Sequence, residues 1–102
     1  MTRSFELLAD PTRRRLLDAL LQGEQSVGAL VDRMQMNQPA VSKQLRVLRE
    51  AGLASVRIDA QRRFYSLNPE GLREFDEWLA PYREFWSGRL DAMERTLDSM
   101  ED

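Results

Sequence analysis

The chain of 102 residues contains no cysteine and no histidine. Without thiols there is no disulfide, no thiol redox switch and no iron–sulfur cluster. Without thiolate or imidazole the common zinc sites are excluded, and so is any nucleophile–histidine dyad. Asp and Glu remain as ligands for a hard cation, but no calcium-loop spacing occurs. A Gly-rich phosphate loop and a plausible pair of catalytic carboxylates are also missing. The sequence therefore argues against an enzyme and implies no metal and no cofactor. No apolar run reaches the roughly 18 residues of a transmembrane helix. The start, MTRSFELLADPTRRR, has neither an apolar signal core nor a small-residue cleavage pattern. The expected location is the cytoplasm, with no membrane partner.

What is present suits one small globular domain. Apolar residues make up 42% and charged residues 31%, a balance that permits a modest core. The net charge of −2 averages two unlike parts. Residues 1–67 carry 11 Lys/Arg against 7 Asp/Glu, a balance of +4, and residues 68–102 carry 4 against 10, a balance of −6. A basic stretch beside an acidic one is a layout that can orient a polyanion.

Helical periodicity dominates the pattern. A short helix is expected over about Arg3–Leu8, with Phe5 and Leu8 on its apolar side. Asp10 as N-cap and Pro11 at the first position restart a helix, in which Leu16, Leu17, Leu20 and Leu21 recur before Gly23. Ser26 caps a third helix whose buried side is Val27, Leu30, Val31 and Met34. After the turn Gln35–Met36–Asn37, either Asn37 or Gln38 caps a fourth. Its seam is Val41, Leu45 and Leu48, and Gly52 with Leu53 closes it. Val56 and Ile58 alternate on one strand, and residues 63–67 alternate on the next. The turn Asp59–Ala60–Gln61–Arg62 lacks Gly, so a four- or five-residue loop is expected. Asn68 and Pro69 start the last helix, which Pro81 should kink or restart near Ala80. Beyond it, Tyr82, Trp86, Leu90, Met93, Leu97 and Met100 form one apolar stripe.

Two short helices joined by a tight turn and followed by a hairpin make a winged helix-turn-helix, mainly α with a β-hairpin wing. Residues 1–80 read as the DNA-binding part, and residues 81–102 as a dimerisation helix of the same domain. With the seam inward, Pro39, Ser42, Lys43, Arg46 and Glu50 face outward at about 100° per residue, and Gln38 sits at the tip. Gln suits adenine, Lys or Arg suits guanine, and Ser suits either. Arg57, Arg62 and Arg63, with Gln61, form the wing contact, opposed only by Asp59. The run Arg13–Arg14–Arg15 lies in the first turns of a helix, where positive charge is disfavoured. Arg13 is expected to pair with an acidic side chain. The terminal stripe is too long for a small monomer to cover, which points to a two-fold dimer on a palindromic site.

The segments LADPTRRRLLDALL, SVGALVDRMQMNQPAVSKQLRVLREAGLASVRIDAQRRFYSL and NPEGL resemble the ArsR family of bacterial winged-helix repressors, over about residues 5–80. The resemblance implies a homodimer that represses an operon, often its own, by binding a double-stranded operator. It puts base contacts on Gln38, Ser42 and Lys43, within a recognition helix that begins Asn37–Gln38–Pro39–Ala40. Pro39 and Val27 fall near the DNA backbone and the wing on Asp59–Arg63. Dimer contacts fall on Phe5, Leu8, Tyr82, Trp86, Leu90, Met93 and Leu97. Where metal sensors of the family place a Cys pair, this chain has Leu30, Val31 and Asp32, so it resembles a metal-independent branch. The inducer is not legible; an apolar ligand near Trp78, Tyr82, Phe85 and Trp86 is one alternative to dimer packing there. A winged-helix module that binds protein and not DNA is the alternative function, supported by a pI near 5.2.

Overall fold

Capping residues set where each helix begins. A computed structural model describes the backbone of residues 2–101 and the side chains of residues 5–98. The first helix, α1, spans Thr2–Leu8. Asp10 then accepts a hydrogen bond from the Thr12 N–H at 2.8 Å, and Pro11 opens α2 (Pro11–Leu21), where its missing N–H costs nothing. Gln25–Ser26 form a two-residue strand, β1, that the sequence pattern does not reveal. Ser26 doubles as the cap of α3 (Val27–Met34), accepting from the Ala29 N–H. Gln35 ends α3 in the left-handed region, at φ 55°. Asn37 accepts from the Ala40 N–H at 2.9 Å. Asn37, and not Gln38, is therefore the cap of α4 (Gln38–Glu50). At the other end of α4, the Leu53 N–H donates to the Leu48 carbonyl and the Gly52 N–H to the Arg49 carbonyl, both at 2.9 Å. This Schellman closure uses Gly52 at φ 79°.

Three helices share one apolar core. Leu16 and Leu20 of α2, Leu30 and Met34 of α3, and Val41, Leu45 and Leu48 of α4 are all at most 4% exposed. Burying a leucine fully is worth about 1.5–3 kcal/mol, so these seven side chains hold the three helices together. Leu21, which has helical spacing in the sequence, instead lies exposed at the end of α2.

The core continues into a sheet through Leu53, Ala54 and Tyr65. Strands β2 (Ala54–Asp59) and β3 (Arg62–Leu67) pair antiparallel, with Asp59 opposite Arg62. That register leaves only Ala60 and Gln61 in the turn, not the longer loop expected. Ala60 adopts φ 57°, a conformation that costs a residue with a Cβ about 1 kcal/mol or more. Strand pairing on both sides outweighs the missing glycine. Strand β1 adds to the other edge of β3, with Ser26 opposite Phe64, giving the order β1-β3-β2.

The last helix, α5, spans Pro69–Glu101. Asn68 accepts from the Glu70 N–H at 3.3 Å and donates to the Gly52 carbonyl at 2.8 Å, pinning the start of α5 to the end of α4. Gly71 permits this approach, because an added Cβ would stand 1.8 Å from the Gly52 carbonyl oxygen. The helix runs through Pro81 without a break, correcting the restart expected near Ala80. Proline frees one carbonyl, that of Glu77, a residue that is exposed, and on an exposed helix solvent can take the place of the lost bond.

The chain divides into two compact units, Met1–Leu72 and Arg73–Asp102. The first holds α1 to α4 and the sheet. The second is the remainder of α5, and across residues 76–98 every side chain but Ala80 is exposed. Met100, the last residue of the apolar stripe, and Arg3 lie outside the described side chains.

Candidate nucleic-acid interface

The geometry of α4 separates its two faces cleanly. Val41, Leu45 and Leu48 are 0% exposed. Gln38, Pro39, Lys43 and Arg46 are exposed, while Ser42 and Ala40 are half-buried. Asn37 is exposed, but its side-chain oxygen is committed to the cap. It shapes the helix tip as well as standing beside it.

Two clefts flank this outward face. One, of about 330 Å³, is lined by Ser26, Val27 and Gly28 at the start of α3, by Gln38 and Ser42 of α4, and by Gln61, Arg62 and Arg63 of the wing. The other, of about 310 Å³, is lined by Val27, Pro39, Ser42, Lys43, Arg46, Arg49, Arg63 and Tyr65. Val27, Ser42 and Arg63 belong to both. The recognition helix, the start of α3 and the wing thus make one concave surface. Neither cleft is lined by an aspartate or a glutamate. Lys43, Arg46, Arg49, Arg62 and Arg63 form no ion pair among the described residues. Five cations without an ion-pair partner among the described residues make this surface basic, although the whole chain is acidic.

Arg49 is absent from the sequence reading of this face. The signal was available: Arg49 lies seven residues after Ser42 and three after Arg46, on the same helical stripe. Gly28 was also missed, and nothing in the sequence marks it, because it reaches the cleft only through the packing of α3 against α4.

Arg57 is placed differently from its wing neighbours. Its Nη2 and Nε donate to the two carboxylate oxygens of Glu24 at 2.7 and 3.1 Å. A second carboxylate, Asp59, lies 3.8 Å away. The Glu24 contact corrects the expectation that Asp59 alone opposes the wing arginines. Glu24 stands 33 residues upstream and meets Arg57 only because β1 joins the sheet. The Arg57 hydrogen bonds hold the Glu24 carboxyl below its ordinary range, and the same pair raises the Arg57 pKa. Arg57 and Arg62 both stack on the Phe64 ring, 4.7 and 5.1 Å from its centre. Arg57 lines neither cleft.

The residues read as dimer contacts are available in each unit. Phe5 of α1 is 36% exposed and Leu8 is half-buried. On α5, Tyr82, Trp86, Leu90, Met93 and Leu97 are each about half exposed or more. Among the described residues, no group of three or more acidic side chains is arranged to hold a metal ion. None of the described helices is long and apolar enough to cross a membrane.

Comparison with known proteins agrees with this geometry. The family described as bacterial regulatory protein, arsR family, matches residues 10–56. The HTH-type transcriptional regulator Rv2034 of Mycobacterium tuberculosis is 36% identical over 100 residues, covering 98% of this chain and 91% of the relative. The transcriptional repressor SdpR of Bacillus subtilis is 32% identical over 79 residues, covering 78% of this chain and 88% of the relative. Among solved structures, the homodimeric winged helix-turn-helix DNA-binding domain Mb0332 from Mycobacterium bovis superposes with a TM-score of 0.67 at 28% identity. That match covers 81% of this chain and 77% of the other. A winged helix-turn-helix with a basic outward face on its recognition helix, and relatives of this identity and coverage, place the chain in the arsR family of bacterial transcriptional regulators.

Proposed function

We propose that the protein is a homodimeric repressor that binds a palindromic operator, its own promoter being the first DNA to test. The observation that carries this reading is the concave surface around α4, where Lys43, Arg46, Arg49, Arg62 and Arg63 stand without a carboxylate among the cleft-lining residues. Gln38 and Ser42 meet base edges in the major groove, and Lys43 and Arg46 supply charge and further base contacts. Arg62 and Arg63 reach the backbone or minor groove from the wing, with Gln61 at the turn. The apolar face of α5, together with Phe5 and Leu8 of α1, joins two copies. A two-fold dimer then offers two recognition helices to half-sites about one helical turn apart. With no Cys and no His in the sequence, the signal that relieves repression is not read by a thiolate or imidazole metal site. The place of action is the cytoplasm.

The test is a gel shift with DNA from upstream of the gene at two salt concentrations. Five cations per protomer in contact with phosphates would give a dimer a log–log salt slope approaching about −9. The acidic pI of 5.2 favours a second reading, a module that regulates by binding protein. Absence of any shift at low salt would support that reading and sink the first.

A further inference from the structure

Arg13 pairs with an acid, Asp10, as its sequence position implies, and its hydrogen bonds reach further. Its Nε donates to the Gln44 side-chain oxygen of α4 at 2.8 Å. Its Nη1 donates to the Leu7 carbonyl of α1 at 3.3 Å. The Asp10 carboxylate that caps α2 stands 4.0 Å from Nη2. One planar group thus touches three elements of the first unit, and its side chain is only 21% exposed.

Apart from the Asn68 hydrogen bond to Gly52 at its C-terminal end, the remaining hold on α4 is weakly directional. Val41, Leu45 and Leu48 contact the core through methyl groups, and such contacts tolerate small rotations and slides. Hydrogen bonds do not, because they weaken steeply off axis. Outward side-chain atoms lie about 5–6 Å from the helix axis. A rotation of about 10° therefore moves them by about 1 Å, enough to spoil a bidentate contact to a base.

We propose that Arg13 is a positioning residue for the recognition helix: through Gln44 it fixes the rotation of α4 relative to α1 and α2, and so sets which base edges Gln38, Ser42 and Lys43 meet. The inference rests on the DNA-binding reading and adds a determinant of specificity to it. It also joins α1, whose Phe5 and Leu8 are assigned to the dimer, to the helix that reads sequence. Lysine cannot replace arginine here, because it keeps the charge but lacks the planar fork.

The experiment uses the full chain. Affinity for the upstream DNA and for mixed-sequence DNA is measured for wild type, Arg13→Lys, Gln44→Ala, the double variant and Gln44→Glu, well below each melting temperature. The readout is the ratio of the two affinities. Arg13→Lys and Gln44→Ala should each lower that ratio about tenfold, the order of one mis-set base contact, with the salt slope unchanged. The double variant should be no worse than either single one, since both remove the same bond. Gln44→Glu keeps an acceptor for Arg13 and should keep the ratio. If Arg13→Lys and Gln44→Ala lower only the melting temperature, or if their effects on the ratio add, the positioning role is overturned while the DNA-binding reading stands. If wild type itself prefers no sequence, both are overturned.

Discussion

The recognition helix α4 and the terminal helix α5 are both amphipathic, but they leave opposite faces uncovered. In α4 the apolar seam is sealed in the core and the basic face stands free. In α5, across residues 76–98, the apolar stripe itself is exposed between flanking charges. Binding follows from what is left uncovered. A polar face on which Lys43, Arg46 and Arg49 outnumber the one carboxylate, Glu50, suits a polyanion, whereas an apolar stripe suits another apolar surface. The same periodicity in sequence therefore leads to different roles.

Substitutions can break this contrast. Leu45→Ala, in the sealed seam, should destabilise the protein by about 2–5 kcal/mol, seen as a lower midpoint in urea. Leu97→Ala, on the open stripe, should leave the unfolding of the monomer almost unchanged. Equal losses at both sites that do not change with protein concentration would mean that the stripe is covered within one chain. Charging the stripe with Leu90→Glu and Met93→Glu should weaken self-association by a hundredfold or more, about 3 kcal/mol. Helix content by circular dichroism should stay the same. Sedimentation that still shows the wild-type dimer would remove α5 from the interface.

On the other side of the comparison, Gln38→Ala should cost about 1–3 kcal/mol at one base position and relax specificity there. Arg62→Ala should weaken binding to every sequence alike and, by removing one contact from each protomer, reduce the salt slope of the dimer by about 2. Footprints and salt titrations read these two effects separately. If neither variant departs from wild type, the assignment of the basic face to DNA is wrong.

The smallest effect concerns the root of the wing. The folded pKa of Glu24 lies below its ordinary value because of the Arg57 hydrogen bonds. Its contribution to stability is therefore present above the ordinary carboxylate range and lost as pH falls through the depressed folded value. The pair is exposed, so the contribution is small. Glu24→Gln should melt slightly below wild type at neutral pH, and the two should converge in acid. A gap that stays constant down to low pH would show that the ion pair does not hold the wing.

Much of this was legible in the chain. Asp10, Ser26, Asn37 and Gly52 announce helix ends through local chemistry, because a cap needs only residues a few positions apart. The outward positions Gln38, Lys43 and Arg46 follow from helical geometry once the seam is known. Other features were not legible. Strand β1 is two residues long and has no period to detect. The tight turn at Ala60 contradicts local preference and is imposed by the pairing of Asp59 with Arg62. Pro81 normally signals a break, yet an exposed helix can lose one bond to water and continue.

By itself, the sequence determined which helices form, which of their faces are apolar, and which metal and thiol chemistries are closed to the protein. Each of these depends on residue type and on spacing within a few turns. Only the tertiary structure decided that Arg13 bonds to Gln44, that Glu24 meets Arg57, and that Arg49 joins the wing arginines on one concave surface. These are encounters between residues far apart in the chain, and no local pattern specifies them. They arise because burying Leu16, Leu30, Leu45 and their neighbours brings the helices and the sheet together.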